Sequence, residues 1–473
     1  MKLRIHVKNF RAIRNTQLDI NSGVNILIGP NGSGKTTLFL ALKFLRDVLL
    51  HGVGLAVAKE GGARRTFRRG KSKISFKVEY DLGQRVFRRR KVPFKFVWAI
   101  EIAQRGKEGL STIIRERATT FALKDDDAVV VFNAEIRRNK KGAPRYTLRI
   151  AKPKEIGKDL FSYSLNTPSE TKMQAFDLIK REFNEILKQA KKGADKSFFT
   201  RLAQFDTKLS HLYSSFQNLN EYNILPDVAR QSTDQLPFVE MLPNGGNLSE
   251  VIHALENKNF HKITRSRAYL DDYFTPPLFR HYYYDHYEYP VTGYKSRIRK
   301  EITLKEALAN INTEIASAVK PIEGVAAEID LTNGKRFVVF KSGKETFYPE
   351  EVSDGTMKWL CILVSIYVPF SQLYLLEEPE NFLHPWMQQR LNHLMREQAI
   401  NNRTIFLLTS HSTTIINSAQ PGEVVIVKST AKGTIASAIQ PDGNLTAMLK
   451  GTDFGLGDLW VSGALGAVPG DDA

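Results

Sequence analysis

The spacing of hydrophobic positions predicts strands at the start of the chain and a strand, a loop and a helix directly after them. Apolar and polar residues alternate over residues 3–20, which predicts a pair of strands. The apolar run 24–28 predicts a short buried strand, and helical spacing over 38–50 predicts a helix. Alternating, β-branched stretches over 73–150 indicate an antiparallel sheet beside these elements.

The hydrophobic period changes in the middle of the chain. Apolar residues recur at helical spacing over 172–192 and 248–255, which predicts a mostly helical insertion. A helix over 304–319 and a hairpin around Asn333-Gly334 then lead back to the first part of the fold. The expected fold class is therefore α/β. Its segments are an N-terminal half (1–154), the insertion (155–300) and a C-terminal half (301–473).

A glycine-rich loop joins the strand at 24–28 to the helix at 38–50. Its sequence, Gly29-Pro-Asn-Gly-Ser-Gly-Lys-Thr36, has the spacing of a P-loop, whose backbone N–H groups surround nucleotide phosphates. In this pattern Lys35 reaches the β- and γ-phosphates and the Thr36 hydroxyl binds Mg²⁺. ATP and Mg²⁺ are therefore the predicted cofactors. The predicted nucleotide contacts in the loop are Asn31, Gly32, Ser33, Gly34, Lys35 and Thr36.

Two later apolar stretches read as buried strands that end in polar residues. The first delivers Glu377 and Glu378 to its carboxyl end, where ligands bind in sheets of this kind. One carboxylate would hold Mg²⁺ or its water shell, and Glu378 would orient and deprotonate the attacking water. The second strand ends in Ser410-His411, which would place His411 near the γ-phosphate.

A further anion site is predicted before the apolar helix 357–368. Ser353 and the N–H of Gly355 lie at the start of this helix, where backbone N–H groups and the helix dipole favour anions. Alone, Ser353 would be only a helix N-cap. Its position about twenty residues before Glu377 favours a role in binding an anion.

This ordered set resembles the ABC/SMC-like ATPases of the RecF and OLD kind, which are often labelled AAA-type ATPases in defence and repair loci. The resembling segments are Asn9–Arg11, Gly29–Thr37, Val352–Thr356, Glu377–Pro385, Thr409–Ser412 and Gly457–Gly463. The resemblance implies an ABC-type P-loop ATPase lobe with an antiparallel β subdomain. It also adds Thr37 and Arg11 to the expected nucleotide contacts and Glu377, beside Thr36, to the expected metal ligands.

The resemblance further implies that two protomers sandwich ATP head to tail. One protomer would supply Lys35, Thr36, Glu378 and His411, and its partner would supply Ser353 and Gly355. Hydrolysis would then require a dimer or a higher homo-oligomer. Two departures from the usual pattern stand out. Glu377 occupies the usual position of an Asp, and Asp354 replaces the second glycine of transporter ATPases, which argues against a transporter motor.

Charge and cysteine content add a partner and a compartment to this picture. The net charge is +18, and residues 59–100 hold 14 Lys/Arg against 3 Asp/Glu. This basic region, Lys59–Lys95, would suit nucleic acid, and it would equally suit a solvated face or an acidic partner protein. The single cysteine, Cys361, and the lack of a signal peptide or long apolar run predict a cytoplasmic protein without a membrane segment.

The expected function is an ATP-binding and hydrolysing switch subunit of an antiphage defence system, similar to the ATPase partners of Septu and PARIS. About 60 residues follow His411, too few for the TOPRIM nuclease domain of OLD proteins, so a separately encoded effector is expected. The alternative is a RecF-like repair or recombination ATPase that binds DNA directly.

Overall fold

The computed structural model describes residues 2–87, 90–105, 110–124, 127–139, 141–151, 180–181, 183–189, 193–203, 207–235, 240–258, 291–368, 372–402, 404–430, 433–440, 445, 448–449, 451 and 454–465. The chain divides into two compact units. Unit 1 comprises Met1–Leu219, Gln420–Phe454 and Asp458–Ala473, and unit 2 comprises Asn220–Ala419 and Gly455–Gly457.

The described helices and strands begin and end at the following residues. The N-terminal part holds β1 (Lys2–Phe10), β2 (Ile13–Asn21), β3 (Gly23–Ile28), α1 (Lys35–His51), α2 (Val53–Lys59), α3 (Ala63–Thr66), β4 (Lys73–Phe87), β5 (Arg90–Arg105), β6 (Leu110–Lys124), β7 (Asp127–Arg138), β8 (Pro144–Ile150), α4 (Phe199–Leu202) and α5 (Thr207–Gln217). Then come β9 (Leu219–Tyr222), α6 (Pro226–Ala229), α7 (Leu248–Glu256), α8 (Val291–Ala318), β10 (Gly324–Ile329), β11 (Arg336–Ser342), β12 (Glu345–Phe347), α9 (Asp354–Tyr367), β13 (Leu373–Glu377), α10 (Pro385–Asn402), β14 (Ile405–Thr409) and α11 (Thr413–Asn417). The chain ends with β15 (Val424–Thr430), β16 (Gly433–Ala438) and α12 (Leu456–Val461).

Unit 1 contains the predicted antiparallel sheet. Its strands lie in the order β2-β1-β4-β5-β6-β7-β8, and each neighbouring pair is antiparallel. In β1 the apolar residues Leu3, Ile5 and Val7 are buried while Lys2 and Lys8 are exposed, as the alternation requires. In the same unit, β15 runs parallel to β3 and antiparallel to β16.

Aromatic side chains join helix α1 to this sheet. Phe44 of α1 lies 5.3 Å from the ring of Phe10 and 5.6 Å from the ring of Phe76, all three fully or almost fully buried. Rings at these separations contribute attraction beyond the burial of their area. The helix that follows the glycine-rich loop is therefore fixed against β1 and β4.

A buried carboxylate anchors a second segment onto the sheet. Glu116 of β6 accepts hydrogen bonds from Trp98 Nε1 at 2.9 Å, from the Ser197 hydroxyl and from the backbone N–H of Phe198 at 2.9 Å. Burial raises the pKa of Glu116, although these donors act in the opposite direction. The start of α4 is thereby tied to the centre of the sheet.

Unit 2 is built around the parallel strands β13 and β14. Their register pairs Leu373 with Ile405 and ends with Glu377 beside Thr409. Residues 373–376 and 405–408 are all buried, the continuous apolar pattern of strands covered on both faces. Helix α9 is also buried along nearly its whole length.

The structure confirms most of the elements that the hydrophobic pattern predicts. Helices α1, α7, α8 and α9 occupy the segments expected to be helical, and β10 pairs with β11 around the predicted hairpin. No described helix is long and apolar enough to cross a membrane. The helix predicted over 172–192 lies partly outside the described residues. The boundary at 154/155 also lies outside the described residues, while the boundary at 300/301 falls within α8. The three-segment organisation stays a prediction.

An ion-pair cluster on the sheet generates a prediction about pH. The Glu79 carboxylate of β4 contacts Lys77 Nζ at 2.5 Å and also pairs with Lys95 of β5. Burial works to raise the pKa of Glu79, but the two ammonium groups outweigh it and hold the pKa at about 2.

Replacing this carboxylate should make the stability of the protein less dependent on pH. At neutral pH we expect Glu79→Gln to lower the free energy of unfolding by about 2 kcal/mol, the size typical of hydrogen bonds to a charged group. The ordinary pKa is 4.5 and the folded value is lower, so the stabilisation is present above about pH 4.5 and is lost as the pH falls towards 2. Urea unfolding of both proteins between pH 7 and pH 2 measures this, with Glu345→Gln on exposed β12 as the matched control. A difference that stays constant over the whole pH range would contradict the prediction.

Candidate active site

The glycine-rich loop of unit 1 lies between β3 and α1, as predicted. Gly34 is the N-cap of α1 and has φ 106°, a left-handed conformation that favours glycine. A Cβ atom there would lie 2.7 Å from Thr434 Oγ1 of β16, so the loop backbone packs directly against this strand. Helix α1 begins immediately afterwards with the Leu38 N–H bonded to the Gly34 carbonyl at 3.0 Å.

The Lys35 side chain lies over its own loop. Its ammonium donates to the carbonyl oxygens of Gly29 at 2.8 Å and Pro30 at 3.1 Å, and the residue is 7% exposed. Ser33 Oγ is buried at the same loop and has no hydrogen-bond partner among the residues that the structure describes. Thr36, in the first turn of α1, is exposed. The loop thus offers a held cation and an exposed threonine at a helix start, the kinds of group that phosphates and Mg²⁺ require.

Arg11 lies in the turn between β1 and β2 with φ 46°. Its backbone N–H donates to the Thr66 carbonyl at 2.9 Å, and its Nε donates to Glu60 Oε2 at 2.8 Å. The guanidinium is therefore engaged by a carboxylate of unit 1. Its predicted contact with nucleotide stays a prediction.

Glu377 and Glu378 in unit 2 lie where β13 ends. Glu377 is the last residue of the strand, and Glu378 follows it with φ 43°, in the left-handed region. A side chain other than glycine in this region costs free energy unless surrounding contacts impose it. Here the Glu378 N–H bonds to the Thr409 carbonyl oxygen at 3.2 Å, so the end of β14 holds the strained turn in place.

The predicted catalytic residues Glu378 and His411 lie side by side in unit 2. His411 Nε2 is 3.9 Å from Glu378 Oε1, and the two side chains are 32% and 43% exposed. Asn381 Nδ2 donates to the other carboxylate oxygen of Glu378 at 3.1 Å. The structure thus brings together a partly exposed carboxylate, an imidazole and an orienting amide.

A third carboxylate, Glu380, supports this group and was missed by the sequence reasoning. Its Oε1 accepts from Ser410 Oγ at 2.8 Å and from the His411 backbone N–H at 2.7 Å, and the residue is 8% exposed. Glu380 therefore fixes the turn that carries His411. The signal in the sequence was the third acidic residue in Glu377-Glu378-Pro379-Glu380, two positions after the proposed base.

A buried lysine that the sequence reasoning also missed contacts the turn that carries Glu378. Lys358 of α9 donates from Nζ to the Glu378 carbonyl at 3.2 Å and lies 5.7 Å from the centre of the Phe382 ring. Burial lowers the pKa of Lys358, while Glu380 and Glu378 oppose the change. A cation inside an otherwise apolar helical run was the signal that sequence reasoning passed over.

The predicted second anion site lies at the start of α9. Ser353 is the N-cap, and its Oγ accepts from the Thr356 N–H at 3.2 Å. A Cβ atom on Gly355 would lie 2.5 Å from the Phe382 carbonyl oxygen, so only glycine allows this close approach. Ser353 is exposed, and its Oγ also lies 3.0 Å from Thr356 Oγ1, so the N-terminus of α9 presents an exposed residue that bears a hydroxyl.

A comparison with protein families shows which family this chain belongs to. A profile described as "AAA domain, putative AbiEii toxin, Type IV TA system" matches residues 24–417, most of the chain and all of the predicted site apart from Arg11. The chain belongs to this AAA-domain family. The membership confirms the resemblance to AAA-labelled P-loop ATPases. The predicted fold class, α/β with an antiparallel β subdomain, is confirmed by the structure.

Short stretches of this AAA-family chain are similar to repair proteins. RecF, the DNA replication and repair protein, from Psychromonas ingrahamii is 48% identical over 42 residues, 9% of this chain and 12% of RecF. RecF from Shewanella loihica is 45% identical over a segment of the same length. The Rad50 ATPase of DNA double-strand break repair from Methanopyrus kandleri is 41% identical over 39 residues, 8% of this chain and 4% of Rad50. The matches thus span a small part of each relative.

Solved structures of SMC heads are similar to this chain over most of their length. An SmcHead bound to the C-winged helix domain of ScpA is 12% identical with a TM-score of 0.42, and the match covers 94% of this chain and 98% of that one. The SMC head domain from Thermotoga maritima is 11% identical with a TM-score of 0.37, covering 93% and 100%.

The site residues of this AAA-family protein suit a nucleotide and a hard divalent cation. The loop at Gly29–Thr36 is the P-loop of a P-loop NTPase, and such proteins typically bind Mg²⁺ with the nucleotide. Among the described residues, no group of three or more His, Cys, Asp or Glu side chains is arranged to hold a metal alone. Mg²⁺ prefers oxygen ligands, and the Thr36 hydroxyl in unit 1 and the Glu377 carboxylate in unit 2 each offer one.

The contacts of Glu380 generate a prediction about stability. Glu380→Ala should lower the free energy of unfolding by about 2–3 kcal/mol, because the Ser410 hydroxyl and the His411 N–H lose their buried acceptor. Glu397→Ala is the matched control, since this carboxylate is half-exposed and forms its ion pair with the exposed His393. Guanidinium unfolding followed by circular dichroism measures both variants. Equal losses in the two would refute the anchoring role of Glu380.

Proposed function

We propose that this protein is an ATPase that binds MgATP at the P-loop and hydrolyses it with Glu378 as general base. The observation that carries the proposal is the group at the ends of β13 and β14. A carboxylate held in a strained turn contacts an imidazole and an amide, in a chain that also has a P-loop. Strain of this kind persists mainly where function requires the geometry.

Each proposed role follows from the chemistry of the side chain. Lys35 would bind the β- and γ-phosphates through the ammonium that now lies on the loop carbonyls. Glu378 would accept the proton of the attacking water, and Asn381 would keep its carboxylate oriented. His411 would donate to the γ-phosphate.

Thr36 and Glu377 would hold Mg²⁺, which supplies charge neutralisation at the β- and γ-phosphates. Lys358 would stabilise the turn that contains Glu378. Its hydrogen bond to the Glu378 carbonyl fixes the backbone that presents the base.

We further propose that hydrolysis requires a second copy of the chain. Ser353 is exposed at the N-terminus of α9, where a hydroxyl and backbone N–H groups can receive an anion. In a head-to-tail dimer, Ser353 and Gly355 of one protomer would bind the γ-phosphate of ATP held by the other. ATP would then act as a switch that closes and opens the dimer.

The physiological role that we propose is that of a switch subunit in antiphage defence with a separate effector. The description of the family, a putative AbiEii toxin of a Type IV toxin–antitoxin system, supports a toxin-related or defence-related role. Identification of the neighbouring gene and co-purification of its product with the tagged chain would test the partnership.

The alternative is direct action on DNA, which the short similarity to RecF and Rad50 favours. The Lys59–Lys95 region would supply the phosphate contacts. Part of its charge is neutralised, because Lys77 and Lys95 pair with Glu79 and Lys59 pairs with Asp47. Duplex binding by the isolated protein that weakens steeply with added salt would favour this alternative.

The ATPase proposal predicts distinct behaviour for two variants. Lys35→Ala should abolish both ATP binding and turnover, because the phosphates lose their cation. Glu378→Gln should keep ATP binding but lower turnover by about 100-fold or more, the contribution typical of a general base. Phosphate release measures turnover, and equilibrium binding of a fluorescent ATP analogue measures affinity.

Lys344→Ala and Glu345→Gln are the matched controls for these two changes, since Lys344 lies in the turn after β11, Glu345 begins β12, and both residues are exposed. Both controls should hydrolyse ATP at the wild-type rate. Unchanged turnover in Lys35→Ala and Glu378→Gln would overturn the proposed function.

A further inference from the structure

An acidic residue lies inside the proposed anion site of unit 2. Asp354 is the first residue of α9, between the two proposed phosphate contacts Ser353 and Gly355. Its side chain is 47% exposed, so its charge is not buried away from an approaching ligand. A carboxylate at a helix N-terminus interacts favourably with the helix dipole, and it would compete there with an incoming phosphate.

Arg230, directly after α6, contacts this carboxylate. Arg230 Nη1 lies 2.6 Å from Asp354 Oδ1, and the arginine side chain is only 15% exposed. The contact with Asp227, at 3.5 Å, is longer and involves a carboxylate that is 95% exposed. The short pair with Asp354 is therefore the principal charge interaction that the structure gives to Arg230.

The same guanidinium also holds the backbone that leads into α9. Its Nε donates to the Pro349 carbonyl at 3.0 Å, and its Nη2 donates to the Val352 carbonyl at 2.8 Å. Three nitrogens of one planar group are thus directed at two carbonyls and one carboxylate. This fork geometry is available to arginine and not to lysine.

These contacts have an electrostatic consequence for an anion at Ser353. An unpaired carboxylate a few ångströms away would repel it, with a strength that rises where water is excluded between two protein surfaces. Arg230 cancels this charge and fixes the loop that displays the Ser353 hydroxyl. The acid at position 354 is then compatible with phosphate binding.

We propose that Arg230 is a positioning residue that neutralises Asp354 and so permits the start of α9 to bind the γ-phosphate of ATP held by a second copy of the chain. The inference rests on the proposed head-to-tail function. It assigns the Arg230–Asp354 pair to control of dimer closure, separately from nucleotide binding at the P-loop.

The experiment measures ATP-driven dimerisation of the full chain in a Glu378→Gln background, which prevents turnover. Sedimentation velocity across an ATP titration gives the ATP concentration at half-dimerisation. The variants are Arg230→Gln, Asp354→Asn and the double variant. Arg138→Gln is the matched control, because Arg138 also donates to two carbonyls, those of Ile113 and Gly193, in unit 1.

Arg230→Gln should raise the half-dimerisation concentration by about tenfold, a coupling of ordinary size between two sites. The double variant should return close to the parent value, because the charge that Arg230 cancels is gone. Asp354→Asn alone and Arg138→Gln should not raise the half-point. Binding of a fluorescent ATP analogue to the monomer should be the same in all variants, which shows that each folds and has an intact P-loop.

Three results would overturn the inference. One is an unchanged half-point in Arg230→Gln. Another is a double variant as impaired as Arg230→Gln, which would assign Arg230 a purely structural role through the two carbonyls. The third is a parent protein that binds ATP as a monomer at every concentration. That result would remove the head-to-tail function itself, and the inference with it.

Discussion

The parallel register of β13 and β14 is the constraint on which the rest of unit 2 depends. Because Glu377 lies beside Thr409, both strands end at the same level, and the chain turns away from each at one edge. The Glu378 N–H donates to the Thr409 carbonyl. The Glu380 carboxylate accepts hydrogen bonds from the Ser410 hydroxyl and the His411 N–H. A register shifted by one residue would separate these partners.

The parts of this arrangement that sequence could predict are those set by local pattern. Buried strands that end in Glu377-Glu378 and Ser410-His411, and a helix capped by Ser353, all follow from hydrophobic runs and the residues that bound them. Lys358 and Glu380 escaped notice because their roles depend on which strand and helix lie across from them. Arg230 lies more than a hundred residues from Asp354, and no local pattern connects the two.

The antiparallel sheet of unit 1 shows a similar limit for charge. Read along the chain, residues 59–100 look like an uninterrupted basic surface. In the sheet, β4 and β5 lie side by side, so Glu79 contacts Lys77 and Lys95 together and offsets one of their two positive charges. The count of 14 Lys/Arg against 3 Asp/Glu gives the net charge of this region, but it does not show which of the basic side chains are paired across strands.

The left-handed backbone at Glu378 has a consequence for how this protein can change over time. Glycine would adopt φ 43° without strain, so a substitution that discarded the carboxylate would make the fold easier to form. Selection for folding alone would drive the position towards glycine. Glutamate at this position is therefore the mark of a trade between stability and the proposed chemistry, and a descendant without that chemistry would be expected to lose this residue early.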